Sequence, residues 1–522
     1  MVGATVTVAR GAAAVYLANV VALVASTFSF LILTNILRST AEVGVVIALN
    51  LMVWLLTAVS MTAQPVTQQS PIPAPPAVLK LIPELLSRNA HSSARRIFHV
   101  PIISSAVIAS IIAAILITSP SIVIPLLGGS SVVPMFVQLA AVDVIVLSLG
   151  QVSLASLMSA GDVRRASGYM AVWSVLRNGI ASLLLLKFAI SGVLVGWVVG
   201  DSLLLIIALR RSNSDFLPGA VEAGSILPDF LRYSSYTLLS ALLGYAVTQA
   251  DKLFTLAEQG LSSLAIYNVA IVAANVPAIA PYALTMVLLP ALSSLHAEGE
   301  ILGMKQIVRR YSRYVSLIVI PLAVEFAAVT RVALRIFGPA YLNGLVPSVI
   351  VSLMSGFTSV GAVYAAVLLA VGRLRWYMAA NLLGVMALAI VAYIVSPYAG
   401  LAGPALGRAG LMIVTALLYA YASRKSGFFE FDARAFLSSA LSSLPAGAVV
   451  YILLSSIHSF AAQLAALPEV VILGILVYVG ALRVLRTPTA ADFEFIRQMA
   501  PPRTHRLMVL IARLAGVRMD NV

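Results

Sequence analysis

Residues 167–209 read SGYMAVWSVLRNGIASLLLLKFAISGVLVGWVVGDSLLLIIAL, and the only charged side chains in the stretch are Arg177, Lys187 and Asp201. A helix that crosses a bilayer needs about 20 predominantly apolar residues. The stretch therefore predicts two crossings, 167–187 and 190–209. Runs of the same kind precede it at 11–34, 43–63, 98–118 and 133–158. Others follow at 233–256, 264–290, 314–334, 344–370, 375–396, 399–422, 436–456 and 466–485. Backbone facing lipid must satisfy its own hydrogen bonds, so fourteen such runs predict fourteen transmembrane helices. The short segments of alternating polarity that build a large β-barrel are missing from the sequence. The expected class is an all-α polytopic membrane protein.

The composition agrees. Of 522 residues, 61% are hydrophobic and 10% charged, with a mean hydropathy of +1.02. A soluble domain carries about 25% charged residues, so a soluble enzyme, a disordered chain and a disulfide scaffold are excluded. The chain has no Cys and five His. No His pair has metal-ligand spacing and no phosphate-binding Gly-Lys loop occurs, so neither a metal nor another cofactor is expected. The run 11–34 is too long for a signal-peptide core and reads as the first crossing.

The net charge of +14 is explained by its placement along the chain rather than by nucleic acid. With the N-terminus inside, 26 of the 33 Lys and Arg fall in cytoplasmic segments and four, Arg38, Lys187, Arg331 and Arg335, fall outside. That asymmetry predicts an even number of crossings and two cytoplasmic termini. The Pro-rich stretch 64–97 reads as an extended cytoplasmic connector. In the basic tail from Arg486 to Val522, Arg503, Arg506 and Arg513 interleave with Leu507, Leu510 and Leu514. That spacing suits either an amphipathic helix on the inner leaflet or a loosely ordered tail.

An internal repeat runs through the chain. Tyr169-Met170-Ala171 recurs as Tyr377-Met378-Ala379, each after a short turn, Gly161-Asp-Val-Arg164 and Gly372-Arg-Leu-Arg375. Gly196-x-x-x-Gly200-Asp201 matches Gly403-x-x-x-Gly407-Arg408, and Arg10 and Ile47-Ala48 match Arg232 and Val269-Ala270. Two parallel six-helix lobes, 1–212 and 213–424, are predicted around a central cavity. Helices at 425–486 and a tail at 487–522 are appended.

A charge inside the bilayer costs at least about 2.5–3.5 kcal/mol on insertion scales, so each marks a candidate site. The candidates are Asp143, Arg177, Asp201, Asp251, Lys252, Glu325 and Arg408. Arg177 and Arg408 suit a phosphate, which a guanidinium grips bidentately. Their alternative is charge balance with Asp143 or Asp201. Asp201 and Arg408 hold equivalent repeat positions and are expected either to face each other as a gate, a substrate contact or an ion pair, or to pair separately. Lys252 is a further substrate contact or a snorkelling side chain. Asp143, Asp251 and Glu325 are candidate proton or sodium sites, the alternative for Asp251 and Glu325 being a structural pair. Asn19, Asn35, Asn50, Asn268, Asn275 and Gln249 line a polar cavity or join helices. Pro277, Pro281 and Pro321 are expected to interrupt their helices as hinges or static kinks.

Several loose motifs resemble one family. Asp251-Lys-Leu-Phe, Leu264-Ala-Ile-Tyr267-Asn-Val-Ala270 and Leu288-Leu-Pro290-Ala-Leu-Ser-Ser-Leu are similar to the seventh and eighth helices of polysaccharide flippases. Phe337-Gly-Pro-Ala-Tyr341 and Leu369-Ala-Val-Gly372-Arg373 resemble their ninth to eleventh. These are the lipid-linked oligosaccharide exporters of the multidrug/oligosaccharidyl-lipid/polysaccharide superfamily. The resemblance implies a V-shaped bundle in the plasma membrane. It implies alternating access that carries a polyprenyl-linked glycan from the inner to the outer leaflet, with no covalent catalysis. The expected partners are that substrate, membrane lipids and H+ or Na+, with the chain acting as a monomer. In the lipid II branch two extra helices help form a lipid-tail groove, and several Arg lie in the first helices. Here the interior Arg are at 177 and 408 instead. The alternatives are an ion-coupled drug or cation antiporter of twelve helices, and a membrane glycosyltransferase or polymerase. The latter would want a sizeable soluble loop or an acidic catalytic cluster.

Overall fold

A computed structural model describes residues 2–60, 91–159, 163–215, 227–275, 277, 288–289, 291–489, 492 and 517. The described residues contain helices and no strand. The long helices are α1 (Val2–Ile36), α2 (Thr40–Val59), α3 (His91–Thr118), α4 (Pro134–Ser159), α5 (Val163–Asp215) and α6 (Leu227–Ala274). They continue as α7 (Ile301–Phe337), α8 (Leu345–Ala370), α9 (Leu374–Ala399), α10 (Ala402–Lys425), α11 (Ala433–Ser456) and α12 (Phe460–Val484). Eleven helices among the described residues are long and apolar enough to cross a membrane, and Ile102–Thr118 of α3 is a shorter apolar one. The Pro-rich connector, Pro281 and nearly all of the basic tail lie outside the described residues.

Two of these helices are hairpins. Ala189, at φ 49° and ψ −133°, breaks α5, and Gly260, at φ 78° and ψ −175°, breaks α6. The arms of α5 then run antiparallel, with Gly196 against Ala181 and Gly200 against Arg177. Divided at these two reversals, the long helices fall on all fourteen apolar runs, though on the run 264–290 only as far as Ala274. Sequence punctuation sets several ends. Ser39 caps α2 by accepting from Glu42 N at 3.2 Å, while Glu42 Oε2 accepts from Arg38 N, just before the cap, at 2.9 Å. α7 begins well before its apolar run, at Ile301, and passes unbroken through Pro321. Pro321 therefore does not interrupt its helix as expected.

The chain divides into two compact units, Met1–Asn268 and Val269–Val522. The first unit takes in α6 as far as Asn268, although the repeat assigns that helix to the second lobe. Tyr245 Oη donates to Leu51 O at 2.8 Å, tying α6 to α2, and Gly44 of α2 lies against Leu261.

Helix packing in the second unit relies on small residues, as expected where lipid removes the hydrophobic drive. Gly384 meets Thr415 and Leu411, Gly407 meets Leu388 and Ala392, and Gly403 meets Ser396, which zips α9 to α10. α11 and α12 dock on α7 through Val329, Val332, Val450, Leu454 and Val470. A polar knot joins the same three helices. Tyr478 Oη donates to Leu317 O at 2.8 Å and lies 2.9 Å from Ser439 Oγ, which itself donates to Ser316 O at 2.8 Å.

Candidate functional site

The sequence places three intramembrane charges, Asp143, Arg177 and Asp201, on three helical segments. The first unit brings them together. Gly200 lets the arms of α5 touch, since a Cβ there would lie 2.5 Å from Arg177 Cα. That approach aims the Arg177 side chain at its own hairpin. Arg177 Nε donates to Asp201 Oδ2 at 3.1 Å, and Nη2 donates to Asp143 Oδ2 on α4 at 3.4 Å. Trp173 Nε1 donates to Asp201 Oδ1 at 2.6 Å, and the guanidinium carbon stands 4.8 Å over the Trp197 ring.

This cluster is closed from solvent. Asp201 is 0% exposed, Asp143 1% and Arg177 7%. Two carboxylates face one guanidinium, and Asp143 Oδ1 has no hydrogen-bond partner among the described residues. Chemically the group has one acid more than it has bases, together with one open acceptor atom. The expected pairing of Asp201 with Arg408 is not what occupies Asp201 here, because both its oxygens are taken within its own hairpin.

Two residues that sequence reasoning passed over complete the site, Trp173 and Trp197. Their signal was present. Trp173-x-x-x-Arg177 and Trp197-x-x-x-Asp201 place each indole one helical turn from a charge.

The other predicted residues lie on α6, α7 and α10. Asp251 on α6 is fully buried, and Tyr267 Oη donates to its Oδ2 at 2.9 Å across the Gly260 reversal. Lys252 is buried at 8% exposure, so its side chain does not spread over an exposed helix surface. In the second unit Arg408 is half-buried on α10, one residue after Gly407. Further along the same helix pair, Tyr419 Oη donates to Asn381 Oδ1 at 2.9 Å, and the rings of Tyr377 and Tyr419 stack 5.2 Å apart. Glu325 is 5% exposed where α7 meets α11 and α12, and its Oε1 has no hydrogen-bond partner among the described residues. Gly474 makes room for it, since a Cβ there would lie 2.9 Å from that oxygen.

A second ionic hub sits in the first half of α7. Arg313 Nη1 donates to Asp432 Oδ2 at 2.8 Å, and Nε and Nη2 donate to the two oxygens of Asp492 at 2.8 Å each. Nη2 also donates to Thr487 O at 2.7 Å. One planar fork thus pins α7 to the start of α11 and to the segment after α12. Burial would raise the Asp432 carboxyl, but the Ala435 N–H, which it caps at 2.9 Å, and Arg313 outweigh burial and hold it below its ordinary value.

The comparisons fit this architecture. Residues 86–343 match the model of a family described as polysaccharide biosynthesis protein. No curated protein matches the chain by sequence. Among solved structures, the lipid II flippase MurJ in its inward closed conformation superposes with a TM-score of 0.72 at 15% identity, covering 91% of this chain and 98% of that one. The Vibrio cholerae MATE transporter VcmN in its bent form gives 0.56 at 16% identity, covering 81% and 100%. A MOP superfamily transporter from Pyrococcus furiosus, whose reversed pocket polarity suggests a different function for it, gives 0.56 at 13% identity, covering 81% and 95%. The chain is thus a polytopic membrane protein with the fold that these transporters share, and its residues 86–343 match a polysaccharide biosynthesis family.

Proposed function

We propose that the chain is a flippase that moves a polyprenyl-(pyro)phosphate-linked oligosaccharide from the inner to the outer leaflet by alternating access. The observation that carries this reading is coverage. The lipid II flippase accounts for 91% of the chain and the MATE transporter for 81%. The difference is about the length of α11 and α12, at 24 and 25 residues. Those two helices have no place in a twelve-helix antiporter.

The reading assigns Arg177, Arg408, Lys252 and Asp201 to the sugar-pyrophosphate head, and Asp143, Asp251 and Glu325 to a proton or sodium ion. Arg177 is shared by two aspartates, so a substrate phosphate reaches it by displacing a carboxylate. The released carboxylate then takes up the ion. Substrate and ion are coupled because phosphate binding at the guanidinium frees a carboxylate for the cation. The protein works as a monomer in the plasma membrane, with both termini cytoplasmic, in keeping with the asymmetry of its Lys and Arg. No bond in the substrate is made or broken.

The test is reconstituted flipping of a fluorescent polyprenyl-pyrophosphate oligosaccharide, wild type beside Arg177→Ala and Arg408→Ala. Flipping lost in either variant supports both the function and the phosphate contact. Flipping retained in both keeps the function and discards the contact. No flipping by the wild type, with proton-driven efflux of a cationic dye, replaces the reading with the antiporter.

A further inference from the structure

The second unit carries a pocket that this transport reading does not use. α9 and α10 are antiparallel, and their register pairs Gly384 with Thr415 and Gly403 with Ser396. Carried to the end of the hairpin, that register sets Arg373, at the head of α9, beside Ser426, at the foot of α10. A cavity of about 340 Å³ opens there, lined by His296, Val371, Gly372, Arg373, Ser426 and Phe428. That volume is at the lower end of the range for ligand pockets. Gly372, at φ 70°, makes the tight turn into α9. Arg373 N is spent on Leu368 O at 2.8 Å, and the Arg373 side chain is exposed. His296 is also exposed, and its ring stands edge-on to Phe428 at 6.1 Å.

The surroundings are cationic and aromatic. Arg375 follows Arg373 by two residues, and Arg424 and Lys425 form the last turn of α10. Lys425 Nζ lies 5.2 Å over the Trp376 ring, and Trp376 contacts Tyr421 at 6.1 Å. Exposed Trp376 and Tyr421, with exposed Leu374 and Leu417 beside them, form the kind of belt that sits at a headgroup boundary. The acids nearby in sequence are Glu298, Glu300, Glu430 and Asp432, the last of them held by Arg313. Glu298 Oε1 accepts from Ser294 Oγ at 2.9 Å. Among the described residues no carboxylate lines the cavity.

Arg and His side chains with a hydroxyl, at headgroup depth and next to exposed apolar helix faces, suit a phosphate that carries acyl chains. We propose that this pocket binds the phosphate of an anionic phospholipid headgroup, with the chains lying along the outer faces of α9 and α10. The inference rests on the membrane fold and not on the identity of the transported substrate.

The test is native mass spectrometry of the full chain in neutral detergent, titrated with phosphatidylglycerol or phosphatidylcholine. Phosphatidylglycerol should be retained in preference to phosphatidylcholine. Arg373→Ala and His296→Ala should each weaken retention roughly three- to tenfold, a charged contact at a partly exposed site. Arg331→Ala removes the same charge from an exposed position at the other end of α7 and should leave retention unchanged. All three positions are exposed, so folding is not at stake. Competition by millimolar inorganic phosphate would assign recognition to the phosphate group itself. Retention that survives phosphate would assign it to the whole lipid, and either result supports the site. Equal retention of the two lipids, or losses in Arg331→Ala as large as in Arg373→Ala, would overturn it.

Discussion

Removing Arg177 from the buried cluster should be the most damaging single change in the first unit. Arg177→Ala deletes a 3.1 Å bond to Asp201, a 3.4 Å bond to Asp143 and the stacking over Trp197 at 4.8 Å. It leaves two carboxylates, 0% and 1% exposed, without their cation. Breaking a buried pair from one side costs about 3–5 kcal/mol. Asp201→Asn keeps an oxygen for Trp173 and should cost about 1–3 kcal/mol. Asp143→Asn touches only the longer bond and should cost least. The triple change Asp143→Asn, Arg177→Met, Asp201→Asn removes every charge at once and should recover most of the stability lost in Arg177→Ala. Thermal unfolding of the purified chain, followed by Trp fluorescence, suits the purpose because Trp173 and Trp197 border the cluster. The triple variant also separates structure from transport, since a cluster that only holds the fold would let it flip substrate normally. A neutral Arg177→Ala, or an Asp143→Asn more damaging than Arg177→Ala, would refute the reasoning.

Three further outcomes are expected. Gly200→Ala pushes a methyl into the Arg177 backbone and should destabilise by about 1–3 kcal/mol, whereas Gly168→Ala, on an exposed helix face with open space around its Cβ, should be neutral or gain up to about 1 kcal/mol; paired melting curves check both. Asp432 is held below its ordinary value, so its contribution is complete above about pH 4 and disappears as pH falls through the lower folded value. Stability against pH from 3 to 7 should therefore drop less steeply at the acid end in Asp432→Asn than in the wild type. Arg313→Lys keeps the charge but cannot reproduce the fork that reaches Asp432, both oxygens of Asp492 and Thr487 O. It should lower the melting temperature nearly as far as Arg313→Ala, and full rescue by Lys would show that charge alone matters.

The helices were legible because lipid imposes a length and a polarity that composition cannot disguise. The two hairpins inside α5 and α6 were legible for the same reason, as a charge or a glycine between apolar runs. Gly196-x-x-x-Gly200 and Gly403-x-x-x-Gly407 were readable as close-approach motifs, and both pack that way against a neighbouring antiparallel segment. The choice of partners was harder to read. Repeat symmetry set Asp201 opposite Arg408, yet a hairpin gives Asp201 nearer partners, Arg177 only 24 residues away and Trp173 only 28. The reach of Arg313 to Asp432 and Asp492, over 119 and 179 residues, had no local signal at all. Those contacts depend on how α11 and α12 dock on α7, and apolar periodicity does not encode docking. Glu325 stood out as a charge in an apolar run, but its place beside Gly474 follows from the same docking.

The central claim is that the cargo is a lipid-linked glycan, and one measurement addresses it directly. Liposomes containing the protein would be loaded with a fluorescent polyprenyl-pyrophosphate oligosaccharide in one set and a fluorescent cationic dye in the other, under the same pH or sodium gradient. The account predicts protein-dependent appearance of the glycan in the opposite leaflet and no gradient-driven movement of the dye. Gradient-driven dye transport with a stationary glycan would contradict it.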